Sequence, residues 1–489
     1  MENTGRLALA ALGTALLMGV LGNLLIVRAP DFGQGSFLWV TALVACTLGL
    51  ARWALGRGGL QGEGRWLLAG AVLFAAGLVW RASSFLHFLD ILAIGLCLGL
   101  AALTLRGGSL SRTGVLSYPL GLLVSALHHA IGPFLLLFSD VQWKELPRTG
   151  WARLAGAVLR GLVIAVPLLL VFGGLFAAAD AVFADLMGQV FTFDGEALFE
   201  HLFGTLFFGA LAAGFLRTGL IRDPEELPRM SKRGGITLGA VETGVVLGLL
   251  NLLFLAFVLV QVRYLFGGAD LVLASAHLTY AEYARSGFFE LVLVTALVLP
   301  VLLALHWTLP EENESAHRLY RWLGGPLVGL LFVIMASAME RMRLYMMEYG
   351  LTELRLYTTA FMLWMALLFI WFLATVMRGQ RDRFAAGALA GGLAVLLVLH
   401  AVNPDALIAR TNVALAQKTG RFDAEYAASL GLDAMPVLME ALETLPAAAS
   451  EELTAELRQR FRRPGTTDWR AWNWGRARAA GALSGLRLE

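Results

Sequence analysis

Charged residues are scarce in this chain, since Asp, Glu, Lys and Arg together make up 15% of its 489 residues. A soluble globular protein of this length carries about 25%. Hydrophobic residues reach 58%, and they recur in apolar runs of about twenty residues, the length that crosses a bilayer as an α-helix. The short alternating segments of a membrane β-barrel are missing. The sequence therefore predicts an all-α, polytopic transmembrane helix bundle.

Other chemical signatures are equally sparse. The only cysteines, Cys46 and Cys97, each lie inside an apolar run, which favours buried thiols over a disulfide or a metal site. The formal net charge of +2 is too small to indicate nucleic acid. No zincin, nucleophile-elbow or EF-hand spacing is present, and the glycine-rich loop 56–64 lacks the ending of a phosphate loop. We therefore expect no metal, no cofactor and no nucleic-acid partner.

Eleven apolar segments have the length and composition of spans. They are Leu7–Val27, Phe37–Leu55, Trp66–Trp80, Phe85–Leu105, Leu154–Ala178, Leu198–Leu220, Val241–Tyr264, Gly287–Trp307, Trp322–Met339, Leu356–Met377 and Phe384–Val402. They predict a four-span N-terminal lobe (1–114), an interfacial or re-entrant helix with a loop (115–153), a seven-span core (154–402) and a small extracytoplasmic helical tail (403–489).

The distribution of basic residues sets the predicted topology. With the N-terminus inside, the first four spans place six arginines in the cytoplasm and only Arg28 and Arg81 outside, as the positive-inside rule requires. The six are Arg6, Arg52, Arg57, Arg65, Arg106 and Arg112. The basic segment 217–233 must also be cytoplasmic, so Val115–Phe138 crosses an even number of times. We interpret it as an interfacial or re-entrant helix; the alternative is a twelfth span. The C-terminus then lies outside.

The tail begins with Asn403-Pro404, which is typical of an N-cap followed by a first helical position. An amphipathic stripe follows and is expected to face the membrane surface. Its residues are Leu407, Ile408, Thr411, Ala414 and Leu415.

Two polar, aromatic-rich segments stand out against this apolar background. The first is His277–Glu290 (HLTYAEYARSGFFE) and the second Met339–Tyr357. In the second, Gly350 is expected to end one helix with a left-handed cap and Thr352 to cap the next. The topology places both on the outer side, where we predict an outer cluster that binds a ligand. Its residues are Tyr280, Glu282, Tyr283, Arg285, Glu290, Glu340, Arg343, Tyr349, Glu353 and Arg355.

The alternative interpretation of the outer cluster is structural. Charges near a bilayer are usually paired or functional, so the same residues could form ion-pair networks that join helix ends, with tyrosines at the interface. Either interpretation predicts that Glu282 or Glu290 lies within salt-bridge range of an arginine among Arg341, Arg343 and Arg355.

Three motifs resemble one known family. LTYAEYARSGFFEL (Leu278–Leu291), YGLTELRLYTTAFMLW (Tyr349–Trp364) and NPDALIARTNVALA (Asn403–Ala416) are similar to a bacterial multi-pass membrane family, the 4153/4173 group of domains of unknown function. The resemblance covers about residues 217–442. It implies a bacterial inner or plasma membrane protein, and it supplies no activity and no catalytic residues.

Three functions remain open from the sequence. The leading hypothesis is a non-enzymatic envelope sensor or accessory partner, whose outer cluster and tail bind a lipid-like ligand or a neighbouring protein. The second is a transporter or lipid translocator, to which only Arg160, Glu242, Asn251 and Gln261 would contribute polar groups. Arg160 is better explained as reaching the cytoplasmic surface, and the other three as interhelical hydrogen bonds. The third is an outer-leaflet enzyme acting on lipid-linked phosphate or sugar, with arginines holding phosphate and a carboxylate as base.

Overall fold

The computed structural model is helical throughout the part of the chain that it describes, without a strand in that part. The described residues are 2–56, 58–60, 62–110, 113–143, 150–183, 195–223, 237–266, 288–310, 312–461 and 468–484. Each of the eleven predicted spans corresponds to a helix, and so does the segment left off the list of spans. The predicted all-α polytopic bundle is therefore confirmed.

The apolar helices carry most of the chain. They are α1 Glu2–Gly22, α2 Gln34–Leu55, α3 Gly64–Trp80, α4 Ser84–Thr104, α5 Ser117–Leu135, α6 Gly150–Ala179, α7 Gly195–Leu216, α8 Ala240–Phe266, α9 Phe288–Thr308, α10 Glu314–Tyr349, α11 Glu353–Thr375 and α12 Phe384–Val402. Three of them end in a π-helical turn: α1 at Asn23–Val27, α5 at Leu136–Asp140 and α7 at Arg217–Ile221. Ten helices of the described part, α5 with its π turn included, are long and apolar enough to cross a membrane, and α3 is a shorter apolar helix of 17 residues.

Short helices form the rest. They are α13 Pro404–Thr419, α14 Ala424–Ser429, α15 Met435–Ala441, α16 Ala447–Arg460 and α17 Trp474–Leu483. Contacts divide the chain into two compact units, one of Met1–Leu110, Ser117–Pro228 and Gly465–Ala477, the other of Ser111–Leu116, Arg229–Pro464 and Arg478–Glu489. The four-part division drawn from the sequence follows topology and stays a prediction.

In the first unit, α1 and α7 pack antiparallel. A Cβ added to Gly209 would lie 3.4 Å from the Ala15 carbonyl oxygen, and one added to Gly204 would lie 2.6 Å from Val27. Residues near the start of one helix therefore face residues near the end of the other. Such close backbone approach needs glycine at the contact, as is usual between membrane helices.

The end of α4 meets the end of α7, which lies beside the start of α1. The Arg106 guanidinium, just past α4, donates to the carbonyl oxygens of Leu220 (3.2 Å) and Arg222 (2.9 Å) where α7 ends. We call this the basic end of the first unit, because six arginines of the described residues lie there, whereas Arg28 and Arg81 lie at the opposite end. The six are Arg6, Arg52, Arg65, Arg106, Arg217 and Arg222.

A C-terminal segment, Asp468–Asn473, lies across the opposite end of this unit, and we call it the strap. Its Trp472 carbonyl accepts from the Gln34 N–H at 3.0 Å, and the Asn473 amide donates to the Arg81 carbonyl at 2.8 Å. These bonds satisfy backbone groups at helix ends that have no partner within their own helix. In the same unit Cys97 is buried and Cys46 half-buried, and both are free thiols.

In the second unit, α8 and α10 run side by side in the same direction. A Cβ added to Gly244 would lie 3.0 Å from Leu319, and further along both helices Gln261 bonds to Ser337. At 36 residues, α10 is about 54 Å long and exceeds the hydrocarbon thickness of about 30 Å. The charged residues Glu340, Arg341 and Arg343 lie in its last turns, which favours this end and the turn into α11 as the part that extends beyond the apolar layer.

Helices α13 to α16, which we call the tail helices, have a core of their own. Ile408, Met435, Leu438, Leu453 and Leu457 are all 0% exposed. Asn403 caps α13 by accepting from the Ala406 N–H, and Pro404 takes the first helical position, so this predicted helix start is confirmed.

Candidate functional site

The turn between α10 and α11 is the centre of the candidate site. Gly350 has φ +75°, a backbone conformation that residues other than glycine rarely adopt. Its N–H donates to the Met346 carbonyl at 2.9 Å. Thr352 accepts from the Arg355 N–H and caps α11. The cap at Thr352 is confirmed. Gly350 ends α10 at positive φ as expected, but its ψ of −176° is extended, so the cap is not the left-handed one that was predicted. The two residues hold the polar segment Met339–Tyr357 as a tight helical hairpin end.

Asn412 of α13 joins the tail helices to this turn. Its side-chain oxygen accepts from the Leu351 N–H at 2.7 Å, and its amide nitrogen donates to the Leu351 carbonyl at 2.9 Å. One carboxamide therefore satisfies both backbone groups of Leu351. A Cβ on Gly350 would lie 2.6 Å from the same oxygen, so glycine is needed for the approach as well as for the positive φ.

Tyr426 of α14 makes the second polar contact between the tail helices and the turn. Its hydroxyl accepts from the Glu353 N–H at 2.9 Å, which is one of the unpaired donors in the first turn of α11. Burial raises the pKa of Tyr426 above its ordinary value, partly opposed by this hydrogen bond. Leu351 itself is 6% exposed and belongs to the apolar core of the tail helices, so polar and apolar contacts act together here.

The arginines of the turn are engaged by the protein itself. Arg355 donates to the carbonyl oxygens of Tyr349 (3.2 Å) and Gly350 (2.5 Å), and its guanidinium carbon lies 4.0 Å from the Tyr345 ring centroid. Carbonyls at the end of α10 attract a cation, and the ring face adds a cation–π contact. This arginine therefore caps α10.

Arg343 and Glu340 form a two-point ion pair one turn apart on α10. The N–O distances are 2.8 and 2.6 Å, and the side chains are 58% and 39% exposed. An exposed pair of this kind contributes about 0–1 kcal/mol. Its position leaves both groups reachable from solvent.

The structure brings part of the predicted outer cluster together. Tyr349, Glu353 and Arg355 lie at the turn, and Glu340 and Arg343 lie two to three helical turns before it on α10. Glu290 is exposed in the first turn of α9 and makes no ion pair within the described part of the chain. Four further members, Tyr280, Glu282, Tyr283 and Arg285, lie outside the described residues. The contact between the two polar segments stays a prediction.

Polar groups within the bundle of the second unit bond from helix to helix. Asn251 of α8 donates to the Leu323 carbonyl of α10 at 2.9 Å. Gln261 accepts from Ser337 at 3.1 Å and from Arg341 at 2.8 Å. The interhelical role predicted for Asn251 and Gln261 is confirmed. Among the described residues, no group of three His, Cys, Asp or Glu side chains could hold a metal ion.

Two residues that bond to the turn, Asn412 and Tyr426, were not predicted from the sequence. Asn412 stands inside the third motif but was not singled out, and Tyr426 stands outside all three. Asn412 could have been found as a polar residue on the same helix face as Ile408 and Val413, which are both buried. No sequence signal pointed to Tyr426, because its partner is a backbone N–H 73 residues away.

Helix number, helix length and apolar surface define the molecule as an integral membrane protein of the polytopic helical class. A family model described as "Domain of unknown function (DUF4153)" matches residues 68–441. Since the match covers well over half of the chain, the protein belongs to this family, as the three motifs indicated. No curated protein and no solved structure matches the chain.

Proposed function

We propose that this protein is a non-enzymatic envelope protein of the bacterial inner membrane, which presents its tail helices outside the cell membrane as a fixed platform for a partner. The observation that carries the proposal is what three polar side chains of the hairpin and the tail helices bond to. Asn412, Tyr426 and Arg355 all bond to backbone groups at the α10–α11 turn. Asn412 and Tyr426 hold the tail helices on the turn, and Arg355 caps α10 within the hairpin itself.

The orientation follows from charge. In the part of the chain that the structure describes, six arginines lie in or beside short loops at the basic end of the first unit, which favours the cytoplasm. The strap lies at the opposite end of the same unit, so the C-terminal segment 468–473 is extracytoplasmic in this orientation. The N-terminus is cytoplasmic, because α1 begins at the basic end.

The enzyme and transporter alternatives have weaker support. An enzyme acting on lipid-linked phosphate needs arginines that are free to bind phosphate, and Arg355 is already bonded to two carbonyls. A transporter needs a polar path, whereas Asn251 and Gln261 are bonded across adjacent helices.

The exposed face of the tail helices is available to a partner. Glu440, Glu443, Glu451 and Glu452 are exposed, and the hydroxyl of Ser450 bonds to the Leu442 carbonyl at 2.9 Å, which brings the start of α16 next to the end of α15. The apolar face is filled by the core of the tail helices themselves.

Site-specific photocrosslinking in cells tests the platform. A benzoylphenylalanine at Glu440 or Glu451 should give a discrete adduct, and the adduct should weaken strongly in the Asn412→Ala background, where the platform is loosened. The matched variant is Arg343→Gln, which removes an exposed charge of the outer cluster but no contact with the tail helices. It should leave the adduct unchanged. Loss of the adduct in Arg343→Gln with a fully docked tail, or an adduct indifferent to Asn412→Ala, would refute the platform in favour of a ligand site at the outer cluster.

A further inference from the structure

Helix α5 with its π turn, Ser117–Asp140, has the dimensions of a span. Its 24 residues are about 36 Å long, and a bilayer core is about 30 Å thick. Length and composition therefore do not distinguish a crossing from a helix in the membrane plane. The positions of the two ends of α5 do distinguish these two arrangements.

The start of α5 lies at the basic end of the first unit. Tyr118 donates its hydroxyl to the Leu110 carbonyl at 2.9 Å. The Leu110 N–H in turn bonds to a carboxylate oxygen of Glu63 at 2.8 Å, at the start of α3. The start of α3 packs on the end of α4, because a Cβ on Gly64 would lie 2.8 Å from the Ala101 carbonyl oxygen.

The other end of α5 also lies at the basic end. Asp140 pairs with Arg217 in the last π turn of α7 at 2.5 Å. Gln142 lies beside the first turn of α1, where a Cβ on Gly5 would meet its side-chain oxygen at 2.9 Å. The start of α1 and the end of α7 both lie at the basic end of the unit, so the two ends of α5 lie at that same end.

The middle of α5 reaches only a short way towards the opposite end. Ser125 donates to the Gly99 carbonyl at 2.8 Å, and a Cβ on Gly132 would lie 2.8 Å from the Gly214 Cα. Gly99 lies five residues before the end of α4, and Gly214 seven before the end of the π turn of α7. At about 1.5 Å per residue these points are about 8 and 10 Å from the helix ends. The middle of a crossing helix would lie near 15 Å.

The two faces of α5 differ in the manner of an in-plane helix. Five large apolar side chains, spaced four, four, three and four residues apart, form one exposed stripe: Leu123 (67%), Leu127 (56%), Ile131 (43%), Phe134 (64%) and Phe138 (53%). The opposite face is small or polar and buried on the bundle, with Ser117, Gly121, Ser125 and Gly132. Basic side chains flank it, since Arg217 pairs with Asp140 and Arg222 lies 3.2 Å from the ring of His128.

From these contacts we propose that Ser117–Asp140 does not cross the membrane but lies in the leaflet at the basic end, with its apolar stripe among the acyl chains of that leaflet. A helix with one apolar face and flanking arginines fits this boundary, where apolar burial and attraction to anionic headgroups act together. An even number of crossings between α4 and α6 also lets α7 end where α1 begins, as the antiparallel packing requires. The occupant of the stripe is lipid.

Cysteine accessibility in sealed vesicles of the full-length protein tests the two ends. In a background with Cys46 and Cys97 replaced by alanine, Gly114→Cys and Ser139→Cys are exposed positions on either side of the helix. Both should react with a membrane-impermeant maleimide from the side on which Arg65→Cys reacts, and not from the side of Arg28→Cys. Labelling of Gly114→Cys and Ser139→Cys from opposite sides would overturn the proposal.

Depth measurement tests the middle independently of the loops. A spin label at Leu127→Cys, on the stripe, should be at least twofold more accessible to a polar nickel chelate relative to oxygen than one at Leu92→Cys. Leu92 is the matched reference, because it is 53% exposed near the middle of the crossing helix α4. Equal depths at the two positions, in variants with unchanged thermal stability, would identify α5 as a span. A stripe position inaccessible to both reagents would mean that protein covers the stripe, and this too would overturn the proposal.

Discussion

The bridge from Asn412 to Leu351 gives the sharpest test of how the tail helices are held. Asn412→Ala removes two hydrogen bonds of 2.7 and 2.9 Å, each with a net contribution of about 0.5–1.5 kcal/mol. The docking free energy should fall by about 2 kcal/mol, and the ratio of docked to undocked tail should fall about 30-fold. Hydrogen exchange in nanodiscs measures this as faster exchange of the Leu351 amide and of α13.

The control lies one residue away. Thr411 is exposed and its hydroxyl bonds only to the Leu407 carbonyl of its own helix at 2.8 Å, so Thr411→Ala should change protection less than twofold. Protection of Leu351 within twofold of wild type in Asn412→Ala would refute the reasoning, because the bridge would then contribute nothing to docking.

Asn412→Asp adds a pH signature to the same test. An ionised carboxylate can accept from the Leu351 N–H but faces the Leu351 carbonyl without a proton to donate. At pH 7 this variant should exchange at least as fast as Asn412→Ala. Once protonated, it can both donate and accept, so protection relative to wild type should return as the pH falls towards about 4. A pH-independent defect would mean that the carbonyl bond does not matter.

Three further outcomes are expected. Arg217→Glu should destabilise the first unit by about 3–5 kcal/mol, since the pair with Asp140 is mostly buried, and adding Asp140→Arg should restore much of the loss in a thermal unfolding assay. Asn251→Leu should cost about 1 kcal/mol in reversible unfolding from detergent micelles, within the range for polar contacts between membrane helices. Folding raises the pKa of Tyr426, so the neutral hydroxyl stabilises the docked tail fully at a pH below the ordinary tyrosine pKa of about 10. This contribution is lost as the pH rises through the pKa that Tyr426 has in the folded protein. Tyr426→Phe should therefore reduce the loss of tail protection at alkaline pH.

The helices could be predicted because lipid leaves the chain few options. Without water, backbone groups must bond within the segment, so each long apolar run forms a helix. The helix ends at Gly350, Thr352 and Asn403 could also be predicted, since each of these residues bonds to neighbours within a few residues. In these cases the physical cause lies inside the stretch of sequence that shows the pattern.

The face of α13 could not be predicted, and the proposed stripe was wrong. Thr411 and Ala414 are exposed, whereas Ile408 and Val413 are buried. Alanines lie on several sides of this helix, so apolar periodicity does not select one face. Packing against α15, the turn Leu432–Ala434 and α11 decides it, and those contacts are distant in sequence.

The candidate site shows the same division between local and distant causes. A dense group of arginines, carboxylates and tyrosines beside a membrane span was the best sequence signal for a ligand site. In the second unit, however, a hairpin end that extends past the apolar layer leaves backbone donors and acceptors to be satisfied. Arg355 takes the carbonyls that end α10, Tyr426 takes a donor that begins α11, and Asn412 takes both groups of Leu351 between them. Polar residues so engaged account for the hairpin end, and a partner must be recognised by groups that remain exposed. For this protein those groups include the acidic face of α15 and α16. The crosslinking experiment therefore places its probes on that face, and its control substitution at Arg343, which is exposed but lies outside that face.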